Sequence, residues 1–286
     1  MELAPDMQGK VVVITGATSG VGLIGAERLA KRGARIVMVA RNEQRAEAAL
    51  ARLESVGGDR RHRAHYADLS RLAEMKRVGG EIAAAEPRID VLVNNAGAIF
   101  SRRQVTEDRL EHTFALNHVS YFVLTAILRD RLTAAAPARI INTASNAHRH
   151  GRLDFDDLQS ERNYRSKRVY GTSKLCNILF TRELARQLAG QGVTANSFSP
   201  GFVATRFGDE AGGLSGLTLR VAKPLFAGSP EKGAVTLVYL ATSTNVAHTS
   251  GEFFFRCRPG VLSAEAQDDD TARKLWAESE RIATPS

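Results

Sequence analysis

The sequence predicts one α/β domain over residues 1–286, built on a parallel β-sheet with helices packed on both faces. Short apolar runs rich in valine and isoleucine alternate with longer amphipathic stretches from residue 10 onward. Runs that are apolar at every position are typical of strands buried on both sides of a parallel sheet. No repeat or proline-rich linker interrupts the alternation. Right-handed crossovers between successive strands then give a doubly wound sheet of about seven strands.

Each element can be placed from this alternation. Strands are expected at 10–15, 35–40, 63–67, 89–93, 139–144, 193–198 and 252–255. Helices are expected at 20–33, 42–56, 70–85, 106–132 (irregular in its middle), 168–188, 230–241 and 268–282. Pro230 marks a helix start, because proline suits the first helical turn. Residues 148–167 and 207–228 do not fit the alternation, and we expect them to be insertions that border a ligand cleft.

Composition excludes several classes of protein. Hydrophobic residues make up 43% and charged residues 24% of the 286 residues, which is typical of a globular chain that buries a large core. The net charge of +8, from 39 basic and 31 acidic residues, is spread along the chain, so we expect no nucleic-acid partner. Cys176 and Cys257 form no CxxC motif and have no histidine at metal-binding spacing, which predicts reduced thiols and no metal site.

The sequence also predicts a cytoplasmic protein without a membrane partner. No apolar run approaches the roughly 20 residues that a membrane-spanning helix needs. The stretch before the first strand carries Glu2 and Asp6, and it lacks the basic and apolar regions of a signal peptide. A reducing compartment also fits the two free thiols.

A glycine-rich loop follows the first predicted strand. Residues 15–22 read TGATSGVG and lead directly into the first predicted helix. Glycine lets the backbone approach a ligand closely, and a helix N-terminus offers free N–H groups and a positive dipole to phosphate. This position predicts a dinucleotide site of the Rossmann type, and the competing interpretation is a tight turn of small residues. The cofactor-binding residues predicted here are Gly16, Thr18, Ser19, Gly20, Val21 and Gly22.

The end of the second predicted strand indicates which dinucleotide binds. NAD-binding proteins commonly carry Asp or Glu there, which binds the ribose 2′-hydroxyl. Here Ala40 is followed by Arg41 and Asn42, and Glu43 lies further along the next helix. A guanidinium can bind a 2′-phosphate through two hydrogen bonds, whereas an acid would repel it. We therefore predict NADP(H) rather than NAD(H); the alternative is that Arg41 is an ordinary surface residue.

Further motifs follow the later strands in a fixed order. They are Asp68-Leu69 after the third strand, Asn94-Asn95-Ala96-Gly97 after the fourth, Ser145 after the fifth, the YxxxK motif of Tyr170 and Lys174, and Pro200-Gly201 after the sixth. Together with the glycine loop, this series resembles the short-chain dehydrogenase/reductase family throughout the chain. The triplet Asn117-His118-Val119, the 25 residues from Ser145 to Tyr170 and the run 170–185 are similar to its retinol dehydrogenase-like branch.

The resemblance implies roles for these residues. Asp68 and Leu69 are expected to hold the adenine ring, and Lys174 the nicotinamide ribose. Asn117 is expected to be catalytic through a water relay from Lys174 to solvent. The resemblance implies nicotinamide contact for Thr205, and the other cofactor-binding residues expected are Asn94, Ala96, Gly97, Tyr170, Pro200, Gly201 and Val203. It also implies a homodimer or homotetramer built on the helices that contain Asn117 and Tyr170.

Tyr170 and Lys174 are four residues apart, so they share one face of a helix. A phenol has an ordinary pKa near ~10, and a nearby ammonium together with the positive nicotinamide of the oxidised cofactor favours the phenolate and lowers that pKa. Tyr170 is therefore predicted to be the general acid and base. Ser145 is predicted to donate a hydrogen bond to the substrate oxygen. Thr143 and Ser173 compete for this role, and Ser145 is favoured because it lies just beyond the end of its strand.

These features predict an NADP(H)-dependent oxidoreductase that interconverts a ketone or aldehyde and an alcohol. Segment 207–228 carries apolar residues among glycines, which predicts either a lid over a bulky apolar or aromatic substrate or a surface helix packed on the core. The alternatives are an NAD-dependent alcohol dehydrogenase and a non-enzymatic NADP-binding regulator, which would be expected to lose some of the catalytic residues. His148 and His150 are expected to be loop histidines without chemistry.

Overall fold

The computed structural model describes residues 7–56, 61–201 and 229–284. The strands within these residues are β1 (Val11–Thr15), β2 (Arg35–Ala40), β3 (Arg63–Tyr66), β4 (Val91–Asn94), β5 (Ala138–Thr143), β6 (Val193–Ser199), β7 (Phe253–Phe255) and β8 (Arg258–Pro259). They form one sheet in the order β3-β2-β1-β4-β5-β6-β7-β8. Strands β1 to β7 run parallel, and β8 pairs antiparallel with β7. The predicted α/β fold with a doubly wound parallel sheet is confirmed.

The sequence analysis missed the short edge strand β8. This strand has two exposed residues, and it returns along β7 after a tight turn at Arg256 and Cys257. Both turn residues have left-handed backbones, with φ angles of +52° and +59°. A two-residue strand has no alternation of apolar and polar positions, so the pattern of the sequence could not reveal it.

Helices cover both faces of the sheet. Within the described residues they are α1 (Gly20–Ala30), α2 (Glu43–Ser55), α3 (Leu72–Ala85), α4 (His112–Phe114), α5 (Ser120–Ala134), α6 (Ser166–Gln187), α7 (Pro230–Thr242) and α8 (Asp269–Ala283). One apolar core lies between the sheet and helices α3, α5, α6 and α8, and a second lies under α1, α2 and α7. Neighbouring residues of β1 such as Val12 and Val13 enter different cores, because side chains alternate along a strand.

The helix expected at 106–132 begins later than predicted. The buried carboxylate of Glu111 caps α4 by accepting hydrogen bonds of 2.9 and 2.7 Å from N–H groups of the first turn, so the helix starts there. The irregularity expected in its middle is present, since Ala115–Val119 is π-helical and joins α4 to α5. This widened turn contains Asn117, and π-helical turns are frequent at functional sites.

Of the two predicted insertions, 148–167 and 207–228, only the first lies within the described residues. Residues 151–165 run irregularly from the short 3-10 helix Asn146–His150 to α6. They are tied down by Tyr164, whose hydroxyl donates a hydrogen bond of 2.8 Å to the carbonyl oxygen of Phe100. Segment 207–228 lies outside the described residues. None of the helices in the described part of the chain is long and apolar enough to cross a membrane.

Candidate active site

The glycine loop turns the chain from β1 into the N-terminus of α1. Gly16 and Gly20 have φ angles of +69° and +58°, a left-handed backbone that glycine adopts readily. A Cβ atom on Gly16 would lie 2.8 Å from the Cα atom of Ala96, and one on Gly22 would lie 2.4 Å from the carbonyl oxygen of Gly16. Glycine is therefore required at 16 and 22 because the loop is packed closely against the rest of the protein.

The N-terminus of α1 fits the pyrophosphate of a dinucleotide. The first N–H groups of a helix have no partner within it, and they are available to an anion. The first turn of α1 holds no acidic side chain that would repel phosphate. Of the other predicted loop residues, Thr18 is half-buried and Ser19 exposed on the loop, and Val21 is buried in the first turn.

Asn95 fastens the loop 94–97 to the glycine loop. Its Nδ2 donates hydrogen bonds of 3.1 Å to the carbonyl oxygens of both Thr15 and Gly16. The hydroxyl of Thr15 in turn accepts hydrogen bonds of 2.9 Å from the N–H groups of Asn95 and Ala96. The sequence analysis quoted Asn95 within its motif without giving it a role, and the structure makes it the link between the two loops.

Asn94, which was predicted to bind cofactor, lies in the core. It is fully buried, and its Nδ2 donates to Thr125 Oγ1 at 3.0 Å and to Asn142 Oδ1 at 2.9 Å. These bonds connect the end of β4 to β5 and α5. The side chain of Asn94 therefore supports the loop from within the protein.

Arg41 and Asp68 lie on neighbouring strand ends at the other side of the glycine loop. The Asp68 carboxylate accepts hydrogen bonds from the N–H and hydroxyl groups of Ser70 at 3.0 and 2.8 Å. Burial works against its ionisation, but these bonds and the positive charges of Arg41 and His112 prevail and lower the pKa of Asp68. Leu69 beside it is buried. The end of β2 thus offers a cation, and the end of β3 offers an ionised carboxylate.

The predicted catalytic residues meet at the carboxyl end of β5. Lys174 is buried, and its Nζ donates a hydrogen bond of 2.9 Å to the carbonyl oxygen of Thr143. The same Nζ lies 5.7 Å from the centre of the Tyr170 ring. The side chains of Tyr170 and Ser145 are hydrogen-bonded to each other. Ser145 Oγ also accepts a hydrogen bond of 3.1 Å from the N–H of Ala147, which fixes its position at the start of a 3-10 helix.

The two competitors for the role of Ser145 use their hydroxyls elsewhere. Thr143 Oγ1 donates to Asn95 Oδ1 at 3.3 Å. Ser173 Oγ donates to the carbonyl oxygen of Tyr170 at 2.8 Å, within its own helix. In the structure, Ser145 is therefore the one of the three whose hydroxyl contacts the Tyr170 side chain.

Asn117 is fully buried in the π-helical turn, and its side-chain amide is used within the protein. Its Nδ2 donates to the Ala98 carbonyl at 2.9 Å and to Ser173 Oγ at 3.0 Å, while its Oδ1 accepts from the Ala98 N–H at 2.9 Å. A Cβ atom on Gly97 would lie 3.0 Å from that Oδ1 and 3.5 Å from Lys174 Nζ. The side chain of Asn117 thus orders the turn beside Lys174, and the water relay expected of this residue stays a prediction.

A pair of glycines brings Ser145 and Tyr170 together. A Cβ atom on Gly171 would lie 2.7 Å from the carbonyl oxygen of Ala147, and one on Gly151 would lie 2.5 Å from the carbonyl carbon of Gly171. The 3-10 helix after Ser145 can therefore pack directly against α6 where Tyr170 begins its second turn. Gly171 was quoted within the run 170–185 without a role, and Gly151 was not singled out, because neither belongs to a glycine-rich motif.

Burial sets the protonation of the cluster. It raises the pKa of Tyr170 to about 12, although the hydrogen bond with Ser145 acts in the opposite direction. It lowers the pKa of Lys174 to about 7. The lowered pKa predicted for Tyr170 relied on Lys174 and on the oxidised nicotinamide together; in the protein alone the pKa moves in the opposite direction. That prediction counted these charges and left out the cost of removing a phenolate from water.

Comparison with known proteins identifies the family. The sequence profile described as short chain dehydrogenase matches residues 10–213. Retinol dehydrogenase 13 of Homo sapiens is 39% identical to this chain. The match covers 96% of this chain and 84% of the length of that protein. The chain is a short-chain dehydrogenase/reductase. It belongs to the retinol dehydrogenase-like branch, as its similarity to retinol dehydrogenase 14 of Mus musculus also shows, with 40% identity over 96% of this chain and 86% of that protein.

Solved structures of other proteins share the fold of this dehydrogenase/reductase. An uncharacterised protein from Mycobacterium paratuberculosis superposes with a TM-score of 0.78 and 31% identity, covering 98% of this chain and 95% of that one. RhlG of Pseudomonas aeruginosa, solved as an NADP active-site complex, superposes with a TM-score of 0.70 and 27% identity, covering 89% and 97%. The family assignment and the fold therefore agree.

The dehydrogenase/reductase also has a second tyrosine beside Lys174. Tyr121 is fully buried, and its hydroxyl donates a hydrogen bond of 3.0 Å to the carbonyl oxygen of Ala96. Lys174 Nζ lies 5.7 Å from the centre of this ring as well, so the amine is placed near two aromatic rings. Burial, with a smaller contribution from Tyr170, raises the pKa of Tyr121 well above its ordinary value. Tyr121 could have been found from the sequence, because it lies four residues after Asn117 and therefore on the same face of a helix.

His148 has a structural position behind Ser145. Its Nδ1 lies 2.8 Å from the Ser145 carbonyl oxygen, and its Nε2 accepts a hydrogen bond of 3.3 Å from the Ser263 N–H. Burial lowers the pKa of His148, so the ring is neutral. His150 is exposed. No group of three metal-binding side chains is found among the residues that the structure describes.

The end of β6 brings the last predicted cofactor residues into the site. Gly201 follows Pro200 and has a left-handed backbone with φ +80°, and its N–H donates to Ser199 Oγ at 3.3 Å. The same hydroxyl accepts a hydrogen bond of 3.2 Å from the N–H of Asn146, next to Ser145. The end of β6 is thus joined to the segment that contains Ser145 and Asn146. Val203 and Thr205, the two remaining predictions, lie outside the described residues.

Proposed function

We propose that this short-chain dehydrogenase/reductase is an NADP(H)-dependent reductase of ketones or aldehydes, with Tyr170 as its proton donor. The observation that carries the proposal is the buried cluster in which Tyr170 contacts Ser145 and lies beside Lys174. With a pKa of about 12, the phenol of Tyr170 is protonated at neutral pH. A protonated phenol is the form that a reduction needs, because the carbonyl oxygen must gain a proton.

Each residue of the cluster has a separate task in this mechanism. When bound, the nicotinamide supplies the hydride that reduces the carbonyl carbon. Tyr170 gives its phenolic proton to the carbonyl oxygen as negative charge develops there, and Ser145 donates a hydrogen bond to the same oxygen. The ammonium of Lys174 stabilises the phenolate that remains on Tyr170. The cycle closes when Tyr170 regains a proton from solvent.

The chain offers a binding surface for each part of the cofactor. The N-terminus of α1 and the left-handed Gly16 and Gly20 suit the pyrophosphate. We propose that Arg41 binds the 2′-phosphate and that Asp68 and Leu69 border the adenine. The NADP complex of RhlG supports this assignment by similarity. Lys174 is close enough to Tyr170 to hold the nicotinamide ribose near the proton donor.

We propose a bulky apolar or aromatic substrate. The curated relatives are named for retinol, which is a large apolar alcohol. The test is a panel of ketones, aldehydes and alcohols followed by NADPH absorbance. Reduction of bulky apolar carbonyls supports the proposal, and activity confined to small polar sugars contradicts this substrate class. NADPH binding without any turnover would instead indicate a non-enzymatic regulator.

Arg41→Ala is expected to raise the KM for NADPH by about tenfold or more, because a charge-assisted hydrogen-bond pair to the 2′-phosphate is lost. The KM for NADH is expected to stay within about twofold, since NADH has no phosphate at that position. Steady-state kinetics with both cofactors measures this. Arg52→Ala is the control, because it removes an equal charge from the last turn of α2, where Arg52 pairs with Glu27. An equal rise of KM for both cofactors would contradict the role of Arg41.

Carbonyl reduction is expected to lose kcat/KM as pH rises through the range in which Lys174 gives up its proton. Burial lowers the pKa of Lys174 to about 7, so the ammonium is complete below that pH and is lost above it. The expected slope is about tenfold per pH unit above the pKa. Lys174→Arg is the control, since a guanidinium stays charged; its remaining activity should be flat over this range. A wild-type profile that is flat from pH 6 to pH 9 (roughly two units above that pKa) would contradict the assignment.

The homodimer or homotetramer was predicted to form on the helices that contain Asn117 and Tyr170. The terminal helix α8 packs against α6 and α5 within one chain, and Trp276 contacts both Phe180 and Phe122. The faces of the helices that follow Asn117 and contain Tyr170 are thus largely covered. We propose that any self-association uses other surfaces, which sedimentation of Trp276→Ala against wild type tests.

The two free cysteines support the proposed cytoplasmic location, which cell fractionation tests.

A further inference from the structure

The buried amide of Asn177 shares a hydrogen-bond acceptor with Lys174. Asn177 lies one turn after Lys174 on α6 and is fully buried. Its Nδ2 donates to the carbonyl oxygen of Thr143 at 3.2 Å, the same oxygen that accepts from Lys174 Nζ at 2.9 Å. A carbonyl oxygen has two lone pairs, so one donor fits each of them. The position of this carbonyl therefore depends on both side chains.

The same amide nitrogen also holds the π-helical turn. Asn177 Nδ2 donates a second hydrogen bond, of 2.9 Å, to the carbonyl oxygen of Asn117. Three elements that surround Lys174 are thus joined through one side chain: the end of β5, the π-helical turn and α6. Because Lys174 is a long side chain with free rotation, its Nζ is placed by the acceptor it reaches. That acceptor is the carbonyl of Thr143.

The orientation of the Asn177 amide is fixed by the two carbonyl oxygens that its Nδ2 contacts. With Nδ2 on two carbonyls, Oδ1 points towards His118, whose Nδ1 lies 3.4 Å away. His118 Nε2 is hydrogen-bonded to Ser279 Oγ of α8 at 2.9 Å. Burial lowers the pKa of His118 to about 4, so the ring is neutral at physiological pH. The neutral ring therefore brings no charge to Asn177.

We propose that Asn177 is a positioning residue for the catalytic lysine. It holds the Thr143 carbonyl so that Lys174 Nζ stays beside the Tyr170 ring, and it keeps the turn around Asn117 in register with α6. The inference rests on the proposed function, because the importance of the Lys174 position follows from the role of Tyr170. Asn177 contacts neither the proposed proton donor nor the substrate oxygen, and it acts through Lys174.

The test compares Asn177→Leu with Thr181→Val. Leucine has the same branching of side-chain heavy atoms as asparagine and removes both donated hydrogen bonds. Thr181 is a matched control one turn further along α6: it is fully buried, donates to the Asn177 carbonyl at 2.6 Å and accepts from Asn142 Nδ2 at 2.9 Å. Neither of these two hydrogen bonds involves the carbonyl oxygen of Thr143 or of Asn117. Both variants lose buried hydrogen bonds, and only the first disturbs the lysine.

Asn177→Leu is expected to lower kcat about 10–100-fold, because a misplacement of about 1 Å in a catalytic group has an effect of this size. The KM for the carbonyl substrate is expected to stay within about threefold, since ground-state contacts remain. Thr181→Val is expected to keep kcat within about twofold. Its unfolding midpoint is expected to fall by about as much as that of Asn177→Leu. Asn177→Asp, which keeps the shape and replaces the donor by an oxygen, is expected to match Asn177→Leu. Equal losses of kcat in Asn177→Leu and Thr181→Val would overturn the proposal.

Two further measurements separate this inference from the proposed function. NADPH affinity, followed by fluorescence, is expected to weaken about threefold or more in Asn177→Leu and not in Thr181→Val, because Lys174 is proposed to hold the ribose. A crystal structure of Asn177→Leu is expected to show Lys174 Nζ beyond hydrogen-bond distance of the Thr143 carbonyl. Failure of wild type to reduce any carbonyl contradicts the proposed function alone. An unmoved Nζ in the variant contradicts the positioning role, whatever the wild type reduces.

Discussion

Replacing Tyr170 with phenylalanine is expected to lower kcat for carbonyl reduction by about 10³-fold or more, because the variant keeps the ring and loses the proton donor. The affinity for NADPH is expected to stay within about threefold, since the ring still packs beside Lys174 and the glycine loop is untouched. Steady-state kinetics gives kcat, and fluorescence titration gives the dissociation constant.

Tyr164→Phe is the matched control for this substitution. It removes the same hydroxyl from a tyrosine in the irregular segment before α6, where the group donates to the Phe100 carbonyl at 2.8 Å. Its kcat is expected to remain within about threefold of wild type, because this bond is away from the catalytic cluster. Near-normal turnover by Tyr170→Phe would refute the mechanism. A parallel loss of NADPH binding would show that the phenol also holds the cofactor.

The sequence allowed much of the site to be predicted because its chemistry lies at strand ends. In a parallel sheet the carboxyl ends of successive strands meet at one edge, so residues that follow β1, β4, β5 and β6 must come together. This reasoning placed Gly16, Ser145 and Gly201 at one edge, and helical spacing placed Tyr170 and Lys174 on one face. The structure has all five there. The order of motifs was therefore enough for the outline.

Properties that depend on tertiary contacts could not be predicted. The direction of the Tyr170 pKa depends on how deeply the phenol is buried, and spacing along a helix says nothing about burial. The start of α4 was misplaced because the cap comes from Glu111, whose burial the sequence does not display. The hydrogen bonds that join Asn117 to Ala98 could not be predicted either, because the two residues are 19 positions apart in the sequence.

Gly171→Ala is expected to lower kcat by about 100-fold, although the substitution adds only a methyl group next to Tyr170. The new Cβ would lie 2.7 Å from the carbonyl oxygen of Ala147, a backbone atom that cannot rotate away. The 3-10 helix after Ser145 must then move off α6, and the hydrogen bond between Ser145 and Tyr170 lengthens. Catalysis falls because the two groups no longer face one substrate oxygen.

The unfolding midpoint gives an independent test of the contact between Gly171 and Ala147. Alanine in a helix interior is favoured over glycine by about 1 kcal/mol, whereas overpacking a closed contact costs about 1–3 kcal/mol. Gly171→Ala is therefore expected to lower the unfolding midpoint. Gly80→Ala is the control, because Gly80 is exposed on α3 with no atom within 4 Å of its added Cβ; its midpoint should rise slightly and its kcat stay unchanged.

Gly151→Ala approaches the contact from the other side, since its Cβ would lie 2.5 Å from the carbonyl carbon of Gly171. It is expected to reproduce both effects of Gly171→Ala, the lower kcat and the lower midpoint. If Gly171→Ala instead behaves like Gly80→Ala, the two segments can separate without cost, and the alignment of Ser145 with Tyr170 does not depend on the glycine pair. The loss of kcat together with unchanged NADPH affinity is the result that assigns the effect to this alignment, because the atoms nearest the added methyl group belong to Ala147 and Gly151.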